Sequence, residues 1–271
     1  MTGSLNRVAH AAVPFVADFD RVTTARRQTE PVSETSPSLA ERLWSAAPTV
    51  ARKLGPEARE RYVAHAERLT RRVNWEAARG LALTDGVIEV IAAHAALLVA
   101  GFEPRTEPFR DVTSAIVHAG TIVTREVVAG PARGVVSDAP RYIAGQAGHG
   151  RGPIVLDWRT AEREIPDPDG GTNVIYHEFA HKLDQLDGVF DGMPPLGSDE
   201  GRARWTQTMG TNYRRLRRRG QDPLVRAYGA TNEIEYFAVV TELFFTVPTL
   251  LREHHQRVYD VLADFYKQDP A

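Results

Sequence analysis

The run Asn173-Val174-Ile175-Tyr176-His177-Glu178-Phe179-Ala180-His181-Lys182-Leu183-Asp184 sets two histidines four residues apart, with a glutamate beside the first. On an α-helix, positions i and i+4 share a face, so both imidazoles can meet one divalent cation. Glu178 is turned about 100° from His177, which puts its carboxylate beside such a cation rather than on it. That is the place for a base that takes a proton from metal-bound water. A pattern this short arises by chance in about two of every hundred shuffled chains of this composition, so its surroundings decide. Phe179 and Ala180 are uncharged, and Val174, Ile175 and Leu183 give the helix an apolar side. Two imidazoles on a helix this apolar would be buried, which is costly unless something pairs with them.

A catalytic zinc ion takes three protein ligands and leaves a place for water. The chain has no cysteine, so imidazoles and carboxylates must supply the ligands. Asp187, six residues after His181, is one candidate for the third. That spacing requires a glycine three after the second histidine so that the chain can turn back, and the position is occupied by Asp184. The other candidate is Glu235, in a segment from Tyr228 to Phe245 that reads as a second helix. Its Ile234, Phe237, Ala238 and Leu243 would pack it against the first. Glu235 is therefore preferred.

Three blocks in this order, GPIVLDW, HEFAHKLDQLDG and YGATNEIEYFAVVTELFF, resemble the Mlc titration factor A family of bacterial zinc peptidases. The resemblance runs from about residue 38 to the carboxy terminus, including the closing LADFYKQDP. The paired motifs are also similar to the catalytic domain of anthrax lethal factor, which likewise has a tyrosine seven residues before its glutamate ligand. The resemblance implies a gluzincin of zincin-like α+β fold, with one Zn²⁺ per chain on His177, His181 and Glu235. It implies Glu178 as general base and Tyr228 as a hydroxyl donor to the oxyanion. The implied substrate is a peptide, trimmed from its amino end. The family name implies a second role of another kind, sequestering the transcriptional repressor Mlc, and such binding need not use the metal.

Ligating histidines commonly donate their second N–H to a carboxylate. Many gluzincins supply that acid four residues after the glutamate ligand, where this chain has Val239. Glu242, two turns beyond Glu235, and Asp184, two turns beyond His177, are both open as substitutes. Asn232 and Glu233 fit the start of a helix. Peptide substrates often add as a strand to a sheet edge, and residues 141–145 or 152–158 are the candidate edges.

The elements that must carry these groups follow from patterning. Residues 1–37 mix Thr, Ser, Pro and charge without a period and read as a flexible extension. Residues 38–110 read as a helical subdomain, with Pro56 in a first turn and Thr84-Asp85 capping a helix from Val87 to Ala100 that Gly101 ends. Residues 111–271 read as the catalytic subdomain. Short β-rich runs at 114–118, 121–124, 134–136, 141–144 and 153–157 suggest a small sheet. Helices are expected from about 173, 200, 233 and 255, and the class is α+β.

Composition is that of an ordinary globular chain: 42% hydrophobic, 25% charged and a net charge of −2. That balance leaves no footprint for nucleic acid. The basic run from Arg214 to Arg219 reads as a solvated helix end. The longest apolar stretch, 87–102, contains Glu89 and His94 and falls short of the ~20 residues a membrane span needs. With no signal-peptide pattern, the expected address is cytoplasmic.

Overall fold

A computed structural model describes residues 36–271 apart from 104–105, 121, 125–127, 130–135, 138–140, 144, 148–151 and 168; between 121 and 151 it describes backbone only. The extension through residue 35, and residues 134–135 of the expected 134–136 strand, lie outside the described residues.

The helices are α1 (Leu39–Ser45), α2 (Pro56–Arg72), α3 (Asp85–Leu97), α4 (Trp158–Glu164), α5 (Val174–Asp184), α6 (Asp199–Arg219), α7 (Glu233–Thr246) and α8 (Pro248–Tyr266). The strands are β1 (Asn74–Ala78), β2 (Ser114–His118), β3 (Ile122–Thr124), β4 (Val128–Ala129), β5 (Val136–Ser137), β6 (Arg141–Ile143), β7 (Gly145–Ala147) and β8 (Ile154–Asp157). The class is α+β.

Local chemistry accounts for several boundaries. Pro56 occupies the first turn of α2, where its missing N–H costs nothing. Thr84 caps α3, its hydroxyl accepting from the Val87 N–H at 3.3 Å. Regular α-geometry in α3 ends at Leu97, earlier than the apolar run suggested, and turns carry the chain to Gly101. A side chain at Gly101 would collide with the Tyr266 carbonyl oxygen, so glycine lets the end of α8 cross there. The last arginines of the basic run lie exposed at the end of α6, which Gly220 closes at φ 71°. The helix expected from residue 255 instead begins at Pro248, and His255 sits at a break inside it (φ −139°, ψ 50°).

The main sheet has the order β1-β2-β8-β7. β1, β2 and β8 are parallel, and β7 runs antiparallel to β8, with Gly145 opposite Leu156 and Ala147 opposite Ile154. β1 comes from the helix-rich first third and was not anticipated, because Asn74-Trp75-Glu76-Ala77-Ala78 lacks β-branched residues. Of the two candidate edges, 152–158 is excluded, since β8 is paired on both sides, and 141–145 divides between β6, which pairs with β3 apart from the main sheet, and the first residue of β7; the outer strands of the main sheet are β1 and β7. β3 pairs with β6, and β4 with β5, in separate ribbons.

α5 packs against β7, β8, α3 and α7, and all eleven of its residues are buried. Phe109 meets Phe179 edge-on, ring centres 5.0 Å apart, and Lys182 donates to the Gly152 carbonyl oxygen at 3.0 Å, tying α5 to the start of β8. A helix held on every side presents its polar groups along a fixed line. Among the described residues, no helix is long and apolar enough to cross a membrane.

Candidate metal centre

Two asparagine caps aim the site. Asn173 starts α5 by accepting from the N–H groups of Ile175 (3.0 Å) and Tyr176 (3.1 Å), one turn before His177. Asn232 starts α7 by accepting from the Glu235 N–H at 2.8 Å, which places Glu235 in the first turn, facing α5.

The caps bring His177, His181 and Glu235 together. Their three ligand atoms lie within 4.8 Å of one another. Glu235 Oε2 is 3.0 Å from His177 Nε2 and 3.6 Å from His181 Nε2, and the imidazole planes stand at 87° with centres 4.7 Å apart. Glu178, 2% exposed, follows His177 on the same helix. Tyr228 lies on a short 3₁₀ turn, Ala227–Ala230, with its ring 5.9 Å from that of His177; the residue is half exposed. Asp187 is not part of the cluster. It is exposed and accepts from the Val189 N–H of its own turn at 3.0 Å.

The two acids left open beyond the ligands now separate. Glu242 is 1% exposed and accepts from His177 Nδ1 at 2.7 Å and from the Asn173 N–H at 2.8 Å. Asp184 turns the other way and accepts from the Gly192 N–H at 2.9 Å. It anchors the loop whose Gly192 lies against the Glu233 carbonyl too closely for any side chain. Burial, aided by Asp187 and Asp191, pushes the Asp184 carboxyl up to about 7.

Charge in the cluster is lopsided. Burial disfavours a charged His177, but its hydrogen bonds to Glu235 and Glu242 outweigh that and push the imidazole up to about 10. Burial and the neighbouring His177 hold His181 below the ordinary range. Burial would raise Glu235, yet its contacts with both imidazoles keep it far below the usual carboxylate range. Burial, then Glu235 and Glu178, raise the Tyr228 phenol. The group as a whole asks for a positive charge between its members.

The donor set fits a divalent metal. Tetrahedral ligands at zinc's usual ~2.0–2.1 Å stand about 3.4 Å apart, and the distances of 3.0 and 3.6 Å straddle that. Two imidazoles and a carboxylate, without thiolate, are a common catalytic set. Two nearby residues had no signal in the sequence. Phe190 meets the His181 ring edge-on at 5.6 Å, and Arg226 contacts Glu242; each reads as an ordinary loop residue until the chain is folded.

A buried helix offering two imidazoles to a carboxylate from a neighbouring helix, above a small mixed sheet, is the arrangement of a metallopeptidase. A model of the glucose-regulated metallo-peptidase M90 family matches residues 22–267, and the chain belongs to that family. It is 32% identical over 221 residues to an uncharacterised protein of Synechocystis, covering 80% of this chain and 79% of that one. It is 36% identical over 143 residues to Mlc titration factor A of Edwardsiella ictaluri, covering 51% of this chain and 53% of that one. The same protein of Serratia proteamaculans is 34% identical over 143 residues, 51% and 53%. The chain thus spans about half the length of the Mlc titration factors that it matches.

Proposed function

We propose that the chain is a zinc-dependent peptidase of gluzincin type, with one Zn²⁺ held by His177, His181 and Glu235, Glu178 as general base and Tyr228 as oxyanion donor. The observation that carries this is the convergence within 4.8 Å of two ligand atoms from α5, which also bears Glu178, and one from Glu235 on α7. Zinc bound there would supply Lewis acidity, polarising a carbonyl and bringing the pKa of a water toward ~7.

The protein's groups do the rest. Glu178 removes the proton from the attacking water and passes it to the leaving amine. The Tyr228 hydroxyl donates to the oxygen that gains charge as the carbonyl is attacked. Glu242 accepts from His177 Nδ1, leaving Nε2 as the ligand atom. β7, at the edge of the sheet against α5, supplies main-chain groups on which a peptide can lie as a further strand. Helices from residues 38–110 support a catalytic subdomain at 111–271, in a zincin-like frame. Aminopeptidase specificity and a cytoplasmic address rest on the family resemblance.

A second reading, compatible with the first, comes from the relatives called Mlc titration factor A: a protein that sequesters a transcriptional repressor independently of catalysis. Glu178→Gln separates the two. In the first reading this variant keeps its zinc and fold but loses chelator-sensitive release of an amino-terminal residue from a chromogenic peptide, by ~10²–10⁴. A wild-type chain with neither bound zinc nor chelator-sensitive hydrolysis would sink the peptidase reading. A Glu178→Gln variant that still binds a repressor would sustain the other.

A further inference from the structure

The metal cluster is tied to the segment that carries Tyr228 by one side chain with no role so far. Arg226, at the start of the Ala227–Ala230 turn, reaches into the core and grips Glu242 with both arms: Nη1 to Oε2 at 2.9 Å and Nη2 to Oε1 at 2.6 Å. Oε1 is the oxygen that takes His177 Nδ1, and Oε2 is the one that takes the Asn173 N–H, the residue capping α5. The guanidinium also lies in the field of Glu164, whose carboxylate accepts from the next N–H of α5, Val174, at 2.7 Å.

We propose that Arg226 is a positioning residue for the metal centre: its planar fork sets the plane of the Glu242 carboxylate, which fixes His177, and the same grip anchors the turn that presents Tyr228. This rests on the metal-centre reading above and adds to it the question of what holds the ligand in place. A carboxylate on a flexible side chain has a free torsion about its last bond. Two parallel N–H donors remove that freedom, whereas a single donor leaves it. With the plane fixed, Oε1 is directed at Nδ1, so His177 must carry its proton there and offer the Nε2 lone pair to a cation. Because the fork grows from the residue two before Tyr228, the ligand and the oxyanion donor share one anchor. Lysine has the charge but not the fork, so charge and geometry can be told apart.

The test uses the full chain with Arg226→Lys and Arg226→Gln, titrating zinc against a competing chelator and then measuring hydrolysis at saturating zinc. Arg226→Gln is expected to bind zinc ~10–100-fold more weakly. Arg226→Lys, which keeps a cation beside Glu242 and so preserves the fold, is expected to weaken binding several-fold. Its kcat at saturating zinc should remain below wild type, with KM little changed, because the Tyr228 turn has lost its fork. Wild-type zinc affinity in both variants overturns the positioning of His177. Full kcat in both at saturating zinc overturns the anchoring of Tyr228. A folded wild-type chain that binds no zinc overturns the metal-centre reading itself and this inference with it, an outcome distinct from the other two.

Discussion

His177 and His255 are equally buried, at 6% and 7% exposure, and each lies between two charged side chains. His255 Nδ1 accepts from Arg215 at 3.1 Å, and its Nε2 donates to Asp222 at 2.9 Å. One donor and one acceptor complete a neutral imidazole, so nothing further is needed at that site. His177 meets carboxylates at both nitrogens, Glu235 at 3.0 Å and Glu242 at 2.7 Å. A neutral ring can donate to only one of them. A proton or a metal ion must fill the other place. Burial alone therefore does not mark a metal ligand; an excess of acceptors around the ring does.

The sharpest way to break this comparison is to make the same change, acid to amide, at both rings. Glu235→Gln removes the proposed third ligand and the acceptor excess together. Zinc affinity should fall by well over the ~10–100-fold that follows loss of a supporting partner, and hydrolysis should vanish. Chelator competition and peptide release both read this. Wild-type affinity in Glu235→Gln would mean that the cluster is not the ligand set.

Protonation offers a second test, of smaller size. In the metal-free chain His177 is raised from 6.5 to about 10. A raised folded pKa stabilises fully below the unfolded value and loses that contribution as pH climbs through the folded one. Between pH 6.5 and 10 the metal-free protein should therefore lose stability, by at most ~1.4 kcal/mol for each pH unit. If zinc takes the proton's place, as proposed, the loaded protein should show a flatter profile over that window. Melting curves at pH 7 and pH 10, with and without zinc, check it. Parallel profiles for the two forms would show that the proton and the metal do not compete.

Access is a further difference between the sites. Tyr228, beside His177, is half exposed, so a substrate can reach its hydroxyl. Tyr228→Phe should lower kcat by ~10²–10³ and leave zinc content unchanged. An unchanged kcat would make the residue a packing aromatic.

How much of this was legible beforehand depends on the range of each interaction. His177, Glu178 and His181 lie within one helical turn and a half, and Asn173 and Asn232 cap locally, so spacing and residue type could reveal them. The choice of Glu235 over Asp187 could be argued too, because a missing glycine is a local fact. Glu242 and Asp184 could not be separated, since each sits two turns from a candidate ligand and only tertiary packing decides which way it turns. Arg226 gave no signal at all. It is one arginine in an arginine-rich chain, and its partner is sixteen residues away on α7. β1 was missed for a related reason: its pairing with β2 crosses forty residues and overrides a weak local preference. His255, at the break in α8, contacts Asp222 and Arg215, distant partners that a helical period does not register.

The other half of the acid-to-amide pair has the smallest expected effect and isolates the structural histidine. Asp222 Oδ1 accepts from His255 and from the N–H groups of Leu224 and Val225, both at 3.1 Å. An amide oxygen in Asp222→Asn can keep all three bonds, and what is lost is the charge that strengthens them and its 3.9 Å approach to Arg215. A charge-assisted bond replaced by a neutral one costs about 1 kcal/mol, visible as a small fall in melting temperature. Zinc affinity should stay within about twofold, since Asp222 contacts none of the metal cluster. If affinity falls together with stability, the 222–226 segment transmits strain from His255 through Arg226 to His177, and the two histidines belong to a single network rather than to two sites of opposite kind.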